Sequence, residues 1–270
     1  MDQIKSIHIT IRFHRHLRSL LHPSHRQDGL VDLKVKPWAS IKDVVESLQV
    51  PHPEVGQLLV CGRQVGFSYQ VREEDFIEVH PLLPPVDPCT PTLLRPEVLT
   101  RFRFMVDINV ARLGALLRMA GIDTAYMPNF CDTDIAAMAV REGRILLSRD
   151  RGLLKRKIVI HGHLVRSQKP DEQLLEIVHL YGLKNLLQPF SRCMQCNSLL
   201  ARVEKNAIFD RLEPLTRKYY EIFYLCSTCD KIYWSGSHKE GMKSILATLK
   251  NDLQKAERLS MNWRSITYDS

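Results

Sequence analysis

CDTDIAAMAVREGRILLSRDRGLLKRK, residues 131–157 of the 270-residue chain, decides the fold class of the second half. It reads as a helix from about Asp132 to Glu142, a glycine stop at Gly143 and a strand, RILLS, that ends in Arg149-Asp150. Upstream, RFRFMVD sets Phe102, Phe104 and Val106 ahead of Asp107, so a second strand ends on a carboxylate. VARLGALLRMAGI then places Val110, Leu113, Leu117 and Ala120 on one helical face and closes at Gly121, and DTAYM follows as a short strand. Strand alternating with helix predicts a parallel sheet, whose ligand site lies beyond the carboxyl ends of its strands. Asp107 and Asp150 belong there, and Asp132 with Asp134 opens the intervening helix.

Carboxylates gathered at one sheet end repel one another, and Mg²⁺ or Mn²⁺ is the usual means of neutralising them. Two such ions can activate water and stabilise the leaving oxygen of a phosphodiester. An Asp before a helix is most often an N-cap, so on spacing alone the cap is the commoner reading of Asp132 or Asp134, and their role stays open between ligand and cap. Arg149, Arg151, Lys155, Arg156 and Lys157 put five positive charges within nine residues around Asp150, a natural track for a phosphate backbone.

Downstream, Cys193/Cys196 and Cys226/Cys229 are two CxxC pairs with 29 residues between them. Seven cysteines cannot all pair as disulfides, and each CxxC turn can present two thiolates to one tetrahedral zinc ion. LLARVEK, YYEIFYLC and KIYWSGSH supply short strands, so residues 191–240 read as a zinc ribbon. Four thiolates close the shell, which makes the zinc structural. Cys61, Cys89 and Cys131 read as ordinary thiols.

At the other end, IHITIRFH alternates Ile7, Ile9, Ile11 and Phe13 with polar residues, and LVDLKVKP repeats the pattern. Ser40 caps a helix, IKDVVESL, that Val50-Pro51 ends, and QLLVCGRQV and DFIEVHPL add strands. The order β, β, α, β, β is that of a ubiquitin-like α+β β-grasp domain over residues 1–87. It runs on from His80-Pro81 into prolines and lacks the free Gly-Gly terminus of a sulfur carrier, so it reads as a binding or stability module. His8, His14, His16, His22 and His25 fit no single ligand turn and read as exposed strand and loop histidines. LLPPVDPCTPTLLRP, from Leu82 to Pro96, cannot continue a helix or inner strand and marks a linker, assigned to residues 88–100. The remaining domains are 101–190 for the α/β part and 241–270 for a helical tail.

Residues 1–87 hold 10 basic and 11 acidic side chains and residues 88–270 hold 28 and 19, so the net charge of +8 belongs to the second half. That points to an anionic partner, nucleic acid before membrane surface. No apolar run reaches the roughly 18 residues of a membrane span, and MDQIKSIHITIRFHRH lacks a secretory apolar core, so a soluble cytoplasmic protein is expected.

VD before a helix, then DTD, EGRILLSRDRGLLKR, PFSRCMQCN and IYWSGSH together resemble the Mut7-C ribonuclease family over nearly all of Phe102 to His238. RILLSRDR combined with SRCxxCN makes the resemblance specific. It implies a PIN-like nuclease domain with a C-terminal zinc ribbon, preceded by a ubiquitin-like domain, and metal-dependent RNA cleavage. Asp107, Asp132 and Asp150 fall on its acidic, metal-holding positions, Asp134 where a Glu is frequent, and Ser148 where a Thr is common. The family's first helix usually reads LGKLARWLR. VARLGALLR keeps Arg118 and a basic residue at Arg112 for RNA, but has Ala115 and Leu116 for Arg and Trp, a departure that bears on substrate grip.

Three functions follow. The first is a two-metal-ion endoribonuclease acting on tRNA or another structured RNA. The second is a non-catalytic RNA-binding adaptor using the ribbon and the basic track. The third is a sulfur-transfer or protein-interaction partner acting through the β-grasp domain.

Overall fold

The computed structural model describes residues 6–234. β1 (Ile7–Phe13) buries Ile9, Ile11 and Phe13 completely, as strict alternation requires of a strand with one wet face. β2 (Leu30–Val35) pairs antiparallel with it, Ile9 opposite Leu33. α1 (Ile41–Ser47) starts where Ser40 Oγ accepts from the Asp43 amide at 3.1 Å, and it buries Ile41, Val44 and Val45. β3 (Val55–Val60), β4 (Arg63–Gln64) and β5 (Phe76–Pro81) complete a sheet of order β2-β1-β5-β3-β4. The first and last strands lie parallel at its centre, the β-grasp arrangement expected from the sequence.

The proline-rich stretch carries no helix or strand up to β6, but it is seated rather than free. Leu94 is buried, and the buried Arg95 guanidinium donates to Val55 O at 3.0 Å and Pro53 O at 2.7 Å. β6 (Phe104–Val106), α2 (Ala111–Met119), β7 (Thr124–Tyr126), α3 (Asp132–Arg141), β8 (Ile145–Ser148), α4 (Arg151–Leu154) and β9 (Gly162–Leu164) then alternate, and the sheet runs β7-β6-β8-β9. β8 is parallel to both β6 and β9 and is buried at every residue, as a central parallel strand must be.

Two compact units result. Among the described residues, one contains residues 6–111 together with Ala125–Arg166, and the other contains Arg112–Thr124 with residues 167–234. The first therefore holds both the β-grasp sheet and the core of the parallel sheet. In the second, Gly121 ends α2 with φ +90° against the Gln188 carbonyl, where a Cβ would collide with that oxygen. α5 (Pro170–Leu180) follows, with Pro170 in its first turn and Leu174, Ile177 and Val178 buried. The sequence reading assigned nothing to β9 or α5. β10 (Leu200–Val203), β11 (Phe223–Cys226) and β12 (Ile232–Trp234) form an antiparallel sheet, with α6 (Pro214–Tyr219) between the first two, over a small core of Ile208, Leu212 and Phe223. The expected tail at 241–270 and the end of IYWSGSH lie outside the described residues. Among those described, no helix is long and apolar enough to cross a membrane.

Candidate active site and thiol cluster

The carboxyl ends of β6 and β8 meet in a polar knot. The ladder continues through Asp107 N to Leu147 O at 3.1 Å, which brings Asp107 beside the end of β8. Asp107 is buried, and its Oδ2 accepts from Ser148 Oγ at 2.8 Å and Asn109 Nδ2 at 2.5 Å while Oδ1 accepts from Ile108 N at 2.6 Å. The same Ser148 Oγ accepts from Asp150 N at 2.8 Å, and Asn109 Oδ1 accepts from Arg149 N at 3.0 Å. Asp107 is thus joined through one buried hydroxyl to the backbone amide of Asp150, 43 residues on, and through the Asn109 side chain to the backbone amide of Arg149. Asp150 is exposed and caps α4, Oδ1 accepting from Gly152 N at 2.6 Å and Leu153 N at 3.3 Å.

Asp132 and Asp134 occupy the first turn of α3, but Cys131 holds the N-cap position and neither carboxylate closes it. Asp134 Oδ2 accepts from the Cys131 thiol at 3.2 Å, and Asp132 Oδ2 lies 4.0 Å from Arg156 Nη2. The sheet end therefore joins Asp107 to Asp150, while Asp132 faces a cation and Asp134 a thiol. No group of three metal-capable side chains within 4.8 Å among the described residues includes an aspartate.

The basic residues divide. Arg149 and Lys157 are exposed and Arg156 lies near Asp132. Arg151 Nη1 donates to Leu20 O at 2.9 Å, and Lys155 Nζ reaches Gln49 Oε1 at 3.4 Å, both in the β-grasp portion of the same unit. Arg112 is exposed on α2. Arg118 is buried, donating to Thr124 O at 2.7 Å, Met194 O at 3.1 Å and Gln195 O at 2.7 Å, so it holds the first CxxC turn in place of an RNA phosphate.

The four cysteines converge, one sulfur from each within 4.8 Å of the others. The turns that deliver them are alike. Asn197 N donates to Cys193 O and Asp230 N to Cys226 O, each at 2.9 Å, and Asn197 (φ +69°) and Asp230 (φ +58°) take the left-handed conformation that Asn and Asp tolerate. Burial opposes ionisation of Cys196, but hydrogen bonds centred on Ser198 outweigh it and bring the thiol down to about 6. Burial and the neighbouring thiols push Cys229 up to about 12. Four sulfurs packed this closely would repel one another if ionised together, and a soft cation neutralises such a set. Asn197 also ties its turn to the end of α2, accepting from Thr124 N at 3.1 Å and donating to Asp123 Oδ1 at 2.9 Å.

Sequence reasoning missed Asn109, though an Asn two residues past a strand-end Asp is a local signal for an orienting amide. It also missed Glu54, whose partners lie 110 residues away and leave no local trace.

Fold and site define a ubiquitin-like β-grasp domain ahead of an α/β domain with acidic strand ends and a closed four-cysteine cluster. The chain belongs to the Mut7-C RNAse domain family. The family model so described matches residues 102–246, and a second, the Mut7-C ubiquitin domain, matches residues 6–87. No curated protein matches the chain.

Proposed function

We propose that the chain is a PIN-like endoribonuclease that hydrolyses phosphodiesters of structured RNA, tRNA being one candidate, with Mg²⁺ or Mn²⁺ at the aspartates and a structural zinc ion in a C-terminal ribbon. The observation that carries this reading is the Ser148 hydroxyl joining Asp107 and Asp150 at the ends of neighbouring parallel strands. A hard divalent ion keeps several waters and needs only one or two protein carboxylates, so Asp107 and Asp150 fit one without a tighter ligand cage, and the family resemblance adds Asp132 at the start of α3. Bound there, it would supply a water nucleophile at neutral pH and charge neutralisation at the phosphate. Ser148 and Asn109 orient the Asp107 carboxylate. Exposed Arg149 and Lys157, with Arg156, attract the flanking phosphates. The thiol cluster fits zinc by donor type and number.

The test is cleavage of total RNA with and without Mn²⁺. Asp107→Asn and Asp150→Asn are each expected to abolish cleavage while leaving RNA binding equal or tighter, because a charge that repels phosphate is removed. Wild-type cleavage by the double variant would leave the aspartates as helix caps. The adaptor reading, which the capping of α4 by Asp150 favours, would then stand.

A further inference from the structure

The solvent face of the β-grasp sheet carries a group that the proposed reaction does not use. β1 and β5 run parallel with Arg12 beside Glu78 and Phe13 beside Val79, so His14 and His80 are next in register. His14 N donates to Val79 O at 3.0 Å, which keeps that register past the end of β1. Phe13 and Val79 are fully buried, and alternation turns His14, Glu78 and His80 to the opposite face. The two imidazoles stack with centroids 4.1 Å apart and 8° between their planes, and His14 Nε2 lies 3.2 Å from Glu78 Oε1. One ring nitrogen of each histidine and one Glu78 oxygen all fall within 4.8 Å of one another. Arg12, the lateral neighbour of Glu78, lies over the Phe76 ring at 5.2 Å. His80 Nε2 is buried and has no hydrogen-bond partner among the described residues, although folded chains supply one to nearly every such atom.

We propose that His14, Glu78 and His80 form a binding site for a divalent transition-metal ion of the Zn²⁺, Co²⁺ or Ni²⁺ class, separate from the cysteine cluster and from the strand-end aspartates. Two imidazole nitrogens and one carboxylate oxygen are a borderline donor set that suits these ions and serves Mg²⁺ poorly. Three protein ligands leave coordination positions for water. Stacked rings aim their lone pairs in parallel, so loading tilts one imidazole about its soft χ2 torsion and exchanges the His14–Glu78 hydrogen bond for two ligand bonds. The ion clips the end of β1, and the turn Arg15–Leu20 that follows, to β5.

The site is testable in the full-length chain as purified, its zinc content measured beforehand. Ni²⁺ is titrated by calorimetry in excess Mg²⁺, which fills positions built from oxygen alone. The wild type is expected to bind one further equivalent of Ni²⁺. His80→Asn and Glu78→Gln should each weaken that binding at least about tenfold, with the resident zinc unchanged. Ni²⁺ should raise the unfolding midpoint of the wild type and not of the variants. Glu78→Gln keeps the shape of the site if His80→Asn folds poorly. No further equivalent in the wild type overturns the proposal, as does unchanged affinity in both Glu78→Gln and the His14→Asn/His80→Asn double variant. Neither result touches RNA cleavage, which is assayed with Mg²⁺ or Mn²⁺ alone.

Discussion

Ser148 is the last residue of β8 and wholly buried, and its one hydroxyl works in both directions, donating to Asp107 Oδ2 and accepting from Asp150 N. A hydroxyl can do this because it is at once donor and acceptor. Ser148→Ala leaves the Asp150 amide unpaired and removes a donor from a buried carboxylate. The expected cost is about 1–3 kcal/mol in denaturant unfolding, and cleavage should fall about tenfold or more with RNA binding unchanged. Ser148→Thr keeps the hydroxyl and should keep the activity. An unaltered cleavage rate in Ser148→Ala would show that Asp107 needs no such orientation.

At the scale of elements, α4 shows why a basic run is not uniformly a nucleic-acid surface. Its four residues are too few to form a helix alone, so it relies on the Asp150 cap and on buried Leu153 and Leu154. Its first residue, Arg151, faces the β-grasp portion, whereas Arg149 before it and Lys157 beyond it are exposed. Arg149→Ala with Lys157→Ala should therefore weaken RNA binding and lower the slope of log affinity against log salt by about 1.5. Arg151→Ala should cost stability and leave the slope intact, a difference that filter binding across a salt series resolves. The two CxxC turns make a second element-scale prediction. Metal analysis should find about one zinc per chain, and Cys196→Ser should lose it and expose residues from 191 on to protease. A double Cys196→Ser/Cys229→Ser variant that retains full zinc would sink the site.

At the scale of the whole molecule, Glu54 binds the β-grasp portion to the parallel sheet within one unit. Its buried carboxylate accepts from Leu164 N at 2.8 Å and Arg166 Nη2 at 2.7 Å, and His163 Nδ1 lies 2.9 Å away. Burial alone would raise its pKa, but His163, Arg166 and the Leu164 amide bring it down to about 2 from 4.5. A depressed acid stabilises the fold above its unfolded value and loses that contribution as pH falls through the folded one. The loss should run from about pH 4.5 to about pH 2 and amount to about 3 kcal/mol. Glu54→Gln should remove a similar amount at pH 7 and flatten this acid limb in urea unfolding followed against pH. A variant with wild-type acid sensitivity would assign the limb to other carboxylates.

Much of this molecule is legible one segment at a time. The strands at Ile7–Phe13 and Ile145–Ser148, the Ser40 cap, the Gly121 stop and the two CxxC turns all announce themselves within a dozen residues, because backbone geometry imposes a period or a turn chemistry on neighbours in the chain. The aspartates at the strand ends and at the start of α3 are legible in the same way, and the family pattern adds the metal-holding role expected of Asp107, Asp132 and Asp150. α5 carries local signals in its proline and acidic first turn, whereas β9, three residues of GHL, has no period to detect. The assignments of Arg118 to a CxxC turn, Arg151 to the β-grasp portion, Glu54 to His163 and Arg166, and His14 to His80 came from folding alone. Each joins residues 66 to 131 positions apart or strands whose register is set by packing, and a long side chain carries no local sign of which distant carbonyl, carboxylate or imidazole will meet it once the core has closed.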